Sequence, residues 1–257
     1  MFRGYSNFGG LDNGGGTPAT STNRYAGGNN LTSTSSRRVA TFTCPSDTPG
    51  DIGGITLHNY VLNAGNTSLY QVSIPIGCSP ATVTSTTCTA FGGAPFGWYE
   101  DPVTLAAGGD SSPVDYSGGN AATGKSGRPR KITEITDGTS NTLMAAEVLQ
   151  GIQSPGADYR GFSWWGGAAG FTAFSQPNST DPDVLTGAAC NNGTGGNAPC
   201  TTTSTSSRPR MQVARSRHTG GVVVAMCDGS VRFVPNTISL VTWRALSTSM
   251  GGEVYSD

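Results

Sequence analysis

The chain has 257 residues and a net charge of −1 at pH 7, and only 12% of its residues are charged, against roughly 25% in an average domain. It contains 38 Gly and 15 Pro. A net charge this close to zero argues against a nucleic-acid partner and against binding to an anionic membrane surface. The composition is typical of a loop-rich, β-rich, exported protein.

The N-terminal part differs in composition from the rest. Residues 1–36 are rich in Gly, Asn, Ser and Thr and predict an irregular segment. We expect residues 37–257 to form a single globular domain, with loop insertions near 77–128 and 176–210. No signal peptide or transmembrane run is present at the start. Because disulfide loops indicate export, either the sequence is truncated or the cysteines stay reduced, and we favour truncation.

Several segments of the first half have strand patterns. Residues 37–44 predict a strand with Val39 and Thr41 on one side, and residues 58–62 predict a second strand. Residues 142–149 form a short apolar run that favours a buried strand rather than a helix. One helical turn and a turn at Asp137-Gly138 are predicted ahead of this run.

The clearest signal is a hairpin over residues 221–234. Asp228-Gly229 separates two apolar runs, which predicts a two-residue type I′ turn. In that register Val224 faces Phe233, and the hairpin forms the centre of the sheet. Because successive side chains of a strand point to opposite faces, this register places one set of side chains on the core face: Val222, Val224, Met226, Val231 and Phe233.

A C-terminal helix is predicted over residues 239–249. Leu240, Trp243 and Leu246 recur at helical spacing, Asn236 or Ser239 can cap the start, and two glycines follow. The predicted fold class is therefore α+β and β-rich, with an antiparallel sheet, a C-terminal helix and long disulfide-stapled loops.

Two cysteine pairs indicate local disulfides. Cys78 and Cys88 have nine residues between them, as do Cys190 and Cys200, and both pairs lie in polar segments. Each bridge would contribute about 2–3 kcal/mol. Zinc binding is the alternative, but no Cys-x-x-Cys occurs and the only histidines are His58 and His218.

The other two cysteines are Cys44 and Cys227. Either they pair with each other or they stay free, and their spacing is compatible with both.

His218 and Asp228 are separated by nine residues. A hydrolase would pair them with a serine such as Ser216 or Ser140, but no Gly-x-Ser-x-Gly elbow is present. The structural interpretation is favoured: Asp228 and Gly229 make the turn, and His218 fastens the chain that enters the hairpin. We therefore predict no catalytic residue.

Oxygen-bearing side chains cluster near residue 137. Asp137, Ser140 and Asn141, with Asp47 from elsewhere, could supply part of a calcium site, which needs six to eight oxygens. The favoured alternative is a local turn around Gly138, in which these side chains bind backbone amides. No other cofactor is indicated.

Trp164 and Trp165 lie in an aromatic and Gly-rich segment at 158–175. Flat aromatic faces can stack on sugars, whereas core packing or a subunit contact is the more usual role.

Five segments resemble a family of unknown function from planctomycetes, domain of unknown function 1559. They are FTCPSD at 42–47, HNYVLNAG at 58–65, ITEITDGTSNTLMAAE at 132–147, HTGGVVVAMCDGSVRFV at 218–234 and TWRALSTSMGGEVYSD at 242–257. Proteins of this family begin with a prepilin-type cleavage segment and a long apolar helix, which are missing from this sequence, and end with a His-x9-Asp-Gly element.

The resemblance implies a pilin-like globular head. The function expected from it is non-enzymatic: the head of a type IV pilin-like or type II secretion pseudopilin-like subunit, outside the cell or on its surface. Its partners would be other pilin-like subunits or copies of itself, with membrane contact only through the missing helix. The alternatives are a secreted glycan- or ligand-binding module and a hydrolase that uses His218.

Overall fold

The computed structural model describes residues 36–69, 71, 73–74, 88–96, 131–151, 158–162, 169–185, 199–205 and 207–253. Within these ranges, no helix has the length and apolar character needed to span a membrane. The predicted irregular segment at 1–36 and much of the two predicted loop insertions lie outside the described residues.

Short strands dominate the described chain. In order they are β1 (Asp51–Ile52), β2 (Ile55–Thr56), β3 (Tyr60–Asn63), β4 (Leu143–Glu147), β5 (Gly170–Phe171), β6 (Asp183–Val184), β7 (Cys200–Thr201), β8 (Gly221–Met226) and β9 (Val231–Pro235). Among the described residues, one α-helix, α1 (Leu240–Ser247), follows these strands, and two 3₁₀ turns occupy Ala40–Phe42 and Ile132–Glu134. The predicted β-rich α+β class is confirmed.

The main sheet has five strands in the order β5-β3-β4-β8-β9. All neighbours are antiparallel except β3 and β5, which are parallel. The strands predicted at 58–62 and 142–149 are confirmed as β3 and β4. The prediction that the hairpin lies at the centre is wrong, because β4 is the middle strand and β9 is an edge.

The strand predicted at 37–44 is also wrong. A 3₁₀ turn takes its place, because the amides of Phe42 and Thr43 bond the carbonyls of Val39 and Ala40. The hydroxyl of Thr43 also donates to the Val39 carbonyl at 3.1 Å. Such side-chain bonds compete with a strand ladder.

The hairpin forms, but its register is one residue away from the prediction. Val222 pairs with Val234, and Val223 pairs with Phe233. The loop has three residues instead of two, since the amide of Met226 bonds the carbonyl of Ser230. Gly229 has φ +88°, as expected of a type I turn that closes with a left-handed residue. The slip turns Phe233 outward, where it is 53% exposed, and Val231 outward with it.

The core lies between the sheet and α1. Trp243 is fully buried there, and its indole N–H donates to the Ser175 carbonyl at 3.0 Å. Ser239 caps the helix by accepting the Thr242 amide. The predicted helix at 239–249 is therefore confirmed, with two residues fewer at its end. The strand residues of this core are Val61, Leu143, Ala146, Phe171, Val222, Val224, Met226 and Val234.

The opposite side of the sheet, which we call the outer face, is also largely apolar. Leu62 pairs with Ala145, Ala145 with Ala225, and Ala225 with Val231, so these four side chains form one row across four strands. Leu62 is 43% exposed and Val231 is 68% exposed. The outer face therefore presents large apolar groups to solvent.

Two glycines of the hairpin give a matched test of this geometry. A Cβ at Gly221 would collide with the Val234 carbonyl oxygen, whereas one at Gly229 would meet open space. We expect Gly221→Ala to lower the free energy of unfolding by about 3 kcal/mol, since the paired strands must separate. Gly229→Ala should cost only about 1 kcal/mol, the strain of a left-handed alanine. Urea unfolding measures both, and equal losses would contradict the register.

Candidate functional site

Three side chains that could bind a metal meet at one end of the sheet. Nε2 of His218 lies 3.4 Å from Sγ of Cys44 and 3.2 Å from Oε1 of Glu147. The three donor atoms all lie within 4.8 Å of one another. Cys44 and Glu147 are buried, and the His218 side chain is 31% exposed. We call this set the Cys–Glu–His cluster.

Three distant segments build the cluster. Glu147 is the last residue of β4, and His218 lies three positions before β8. Cys44 follows the 3₁₀ turn, and its amide donates to Oδ1 of Asn59 at 2.9 Å. The amide of His218 donates to the Ser216 hydroxyl at 3.1 Å. The sheet thus sets the position of the carboxylate, and two loops bring the thiol and the imidazole to it.

Glu147 is held on both oxygens. The Tyr60 hydroxyl donates to Oε1 at 3.2 Å, and the Val223 amide donates to Oε2 at 2.7 Å. Because Tyr60 is on β3 and Val223 on β8, the carboxylate links the strands on either side of β4. Burial raises the pKa of Tyr60, and the charge of Glu147 raises it further, so the phenol keeps its proton.

The surroundings of Cys44 disfavour the thiolate form of its side chain. Burial raises its pKa, and the nearby Glu147 charge adds to the effect, while hydrogen bonds from Ser46 oppose it. In a Cys–His pair, the imidazole uses one nitrogen for the thiol and the other for an orienting group. Here Nε2 of His218 faces both Cys44 and Glu147.

A buried polar network surrounds the cysteine. Oδ2 of Asp47 accepts hydrogen bonds from the Asn59 side chain at 2.8 Å and from the Gln150 amide at 2.9 Å. Oδ1 of Asp47 pairs with Arg217 at 2.8 Å. Asn59 also donates to the Val148 carbonyl. The loops that bear Cys44 and His218 are therefore tied to each other and to the end of β4.

The hydrolase triad considered from the sequence is not assembled. His218 and Asp228 lie beyond opposite ends of β8. Asp228 accepts from the amide and hydroxyl of Ser230 in the hairpin loop, and these bonds lower its pKa. The Ser216 hydroxyl donates to the Gly221 carbonyl at 2.6 Å, and the Ser140 carbonyl accepts from Arg232.

The candidate calcium ligands also occupy separate places. Asp47 lies beyond the end of β4, whereas Asp137 lies before its start and binds the amides of Gly251 and Gly252 at 2.8 and 2.9 Å. The Asn141 side chain donates to the Asp137 carbonyl. Gly138, at φ +94°, completes this turn. Asp137 thus fastens the chain that follows α1.

The remaining cysteines divide into two groups. Cys227 is a free thiol in the hairpin loop, as Cys44 is at the other end of β8, so the two do not pair. Burial raises the pKa of Cys227 to about 11. Cys88 and Cys200 are buried, but their predicted partners Cys78 and Cys190 lie outside the described residues, so both disulfides stay predictions.

The aromatic platform is only partly visible. Trp164 and Trp165 lie outside the described residues. Tyr159 and Phe162 pack edge to face with ring centres 6.1 Å apart, and both are buried. These two rings therefore belong to the interior and not to a sugar-binding surface.

The sequence analysis missed Glu147 and a second buried charged network. Arg160 pairs with Asp158 at 2.5 Å and with Asp183 at 3.0 Å, and Arg215 lies 3.4 Å from Asp183. These four side chains are at most 5% exposed. The sequence does contain a signal for these residues, namely the small number of charged residues. In such a chain, a charged residue inside an apolar segment indicates a specific partner.

The fold and cluster define a β-rich α+β protein in which a buried thiol and a buried carboxylate contact a partly exposed imidazole. A family model described as protein of unknown function (DUF1559) matches residues 14–240, more than half of the chain. The chain belongs to this family. No curated protein and no solved structure matches it.

The loop that bears Cys44 gives a pH prediction. His58 is fully buried and accepts the Val39 amide on Nε2 at 3.0 Å, so it is neutral. Burial, with the charge of Arg38, lowers its pKa from 6.5 to about 4. Below pH 6.5 the unfolded chain takes up a proton at His58 that the folded chain does not. The contribution of His58 to the free energy of unfolding is therefore fully present above pH 6.5 and is lost as the pH falls toward 4.

Between these two pH values, the free energy of unfolding should fall by up to about 1.4 kcal/mol per pH unit because of His58. Urea unfolding at about pH 7 and about pH 5 measures it. His58→Gln, which offers an amide oxygen to Val39, should lose less stability than the wild type over this interval, whereas His218→Gln should keep the His58 contribution. The same pH dependence in His58→Gln and wild type would refute the assignment.

Proposed function

We propose that this chain is the non-enzymatic head of a type IV pilin-like or pseudopilin-like subunit that works in a surface filament or secretion apparatus. Its site of action would be outside the cell or on its surface. Its partners would be copies of itself or other pilin-like subunits. The observation that supports this most directly is the apolar outer face of the sheet.

The outer face has the character of a surface that is covered in an assembly. Large exposed apolar patches are uncommon on monomeric proteins and mark interaction sites. Leu62, Val231 and Phe233 are between 43% and 68% exposed, and small alanines lie between them. The edge strand β9 contributes two of the three large side chains. A neighbouring subunit that packs here would remove them from water.

The site chemistry also favours a structural role. The thiol of Cys44 is kept protonated by burial. Asp228 is engaged in the hairpin loop, and Asp137 is engaged at the end of α1. Within the His-x9-Asp-Gly element, Asp228 is held by Ser230, and His218 contacts Glu147 and the Ser216 hydroxyl, so both side chains have contacts that fix the path of the chain.

Photo-crosslinking in the cells that make the protein tests this proposal. A photoreactive residue at Phe233 should give adducts with another copy or with a second pilin-like subunit, because this side chain lies on the outer face. The adducts are identified by mass spectrometry of the envelope and of material sheared from the cells.

The matched control is the same probe at Thr203, which is exposed but lies on the loop after β7. It should give few or no adducts. Release of the chain as a monomer, without adducts at Phe233, would contradict an assembled head and would favour a free secreted protein.

A further inference from the structure

We propose that Cys44, Glu147 and His218 bind a zinc ion. The site would be independent of the assembly role. Among the described residues, this cluster is the place where an imidazole lies beside both a buried carboxylate and a buried thiol.

The distances suit a tetrahedral ion. Bonds of roughly 2.0–2.3 Å from zinc to nitrogen, oxygen and sulfur, at tetrahedral angles, place the donor atoms about 3.3–3.6 Å apart. Nε2 of His218 lies 3.2 Å from the Glu147 oxygen and 3.4 Å from the Cys44 sulfur. The Glu147 oxygen and the Cys44 sulfur lie within 4.8 Å of each other, so these two side chains would have to close on the ion for all three donors to bind it.

The direction of the donor atoms also indicates a cation. Nε2 of His218 holds either one hydrogen or one lone pair and faces both the Glu147 oxygen and the Cys44 sulfur, which also contact each other, so the three donor atoms converge on one point. An ion between the three atoms would accept a lone pair from each. Zn²⁺ with one thiolate, one carboxylate and one neutral imidazole has no net charge, which lowers the cost of burying the group.

Surrounding residues would orient the ligands. Tyr60 and Val223 fix the Glu147 carboxylate, and the Asn59 side chain fixes the Cys44 backbone. Outer-shell bonds of this kind are usual around metal ligands. The partial exposure of His218 leaves a path from solvent and room for a water as fourth ligand. Thiolate, imidazole and carboxylate together favour zinc over calcium or magnesium.

Cobalt titration of the metal-stripped full chain tests the site, because Co²⁺ adopts zinc geometries and reports thiolate ligation by a charge-transfer band. We expect the band to saturate at one equivalent and to vanish when Zn²⁺ is added. Zn²⁺ should also raise the melting temperature of the wild type. The titration is run without reductant, so that any disulfides stay closed.

Two ligand variants and two matched controls locate the metal. Cys44→Ser should abolish the charge-transfer band, and His218→Gln should weaken Co²⁺ binding by at least the roughly 10–100-fold that loss of an outer-shell partner costs. Cys227→Ser removes the other free thiol and His58→Gln the other histidine, and both should bind Co²⁺ as the wild type does.

Circular dichroism establishes that each variant is folded before it is titrated. If Cys44→Ser does not fold, His218→Gln still tests the site, because His218 is partly exposed and its replacement should leave the chain folded. Absence of a cobalt band in the folded wild type would overturn the proposal. Persistence of wild-type binding in either ligand variant would place the ion elsewhere and would also overturn it.

Discussion

A single carboxylate organises one end of the main sheet. Glu147 ends the central strand, is 1% exposed, and must be compensated because an isolated buried charge is strongly unfavourable. Tyr60 from β3 and the Val223 amide from β8 supply part of the compensation. His218 also lies beside the carboxylate, with Nε2 3.2 Å from Oε1, and this contact requires the loop before β8 to fold over the sheet. The relative positions of three strands and one loop therefore depend on this side chain.

Much of the fold follows from local pattern. The apolar runs at β3, β4 and β8 and the spacing of Trp243 and Leu246 were sufficient to predict strands and helix. The same patterns do not determine the hairpin register, because Asp-Gly suits both a two-residue loop and a three-residue loop that ends in a left-handed glycine. The slip leaves Phe233 exposed on the outer face, where the proposed subunit contact would account for its apolar character.

The candidate site was less accessible from sequence. The sequence points to His218 and Cys44 individually, and it argues against zinc because no close pair of ligands occurs along the chain. The cluster instead draws one donor from each of three segments, and only the pairing of β4 with β8 brings them together. Glu147 ends an apolar strand, and the strand pattern alone does not distinguish it from its neighbours. In a chain with 12% charged residues, such a carboxylate is itself informative.

The wide spacing of these contacts has a consequence for how the chain folds. The β8–β9 hairpin closes a short loop, but Tyr60 and Glu147 are 87 positions apart, and Cys44 and His218 are 174 apart. Closing long loops costs entropy before any contact compensates for it, so such topologies fold slowly. We expect the hairpin to order early and the thiol to meet the imidazole last. The contact between Cys44 and His218 is therefore a marker of chains that have completed folding.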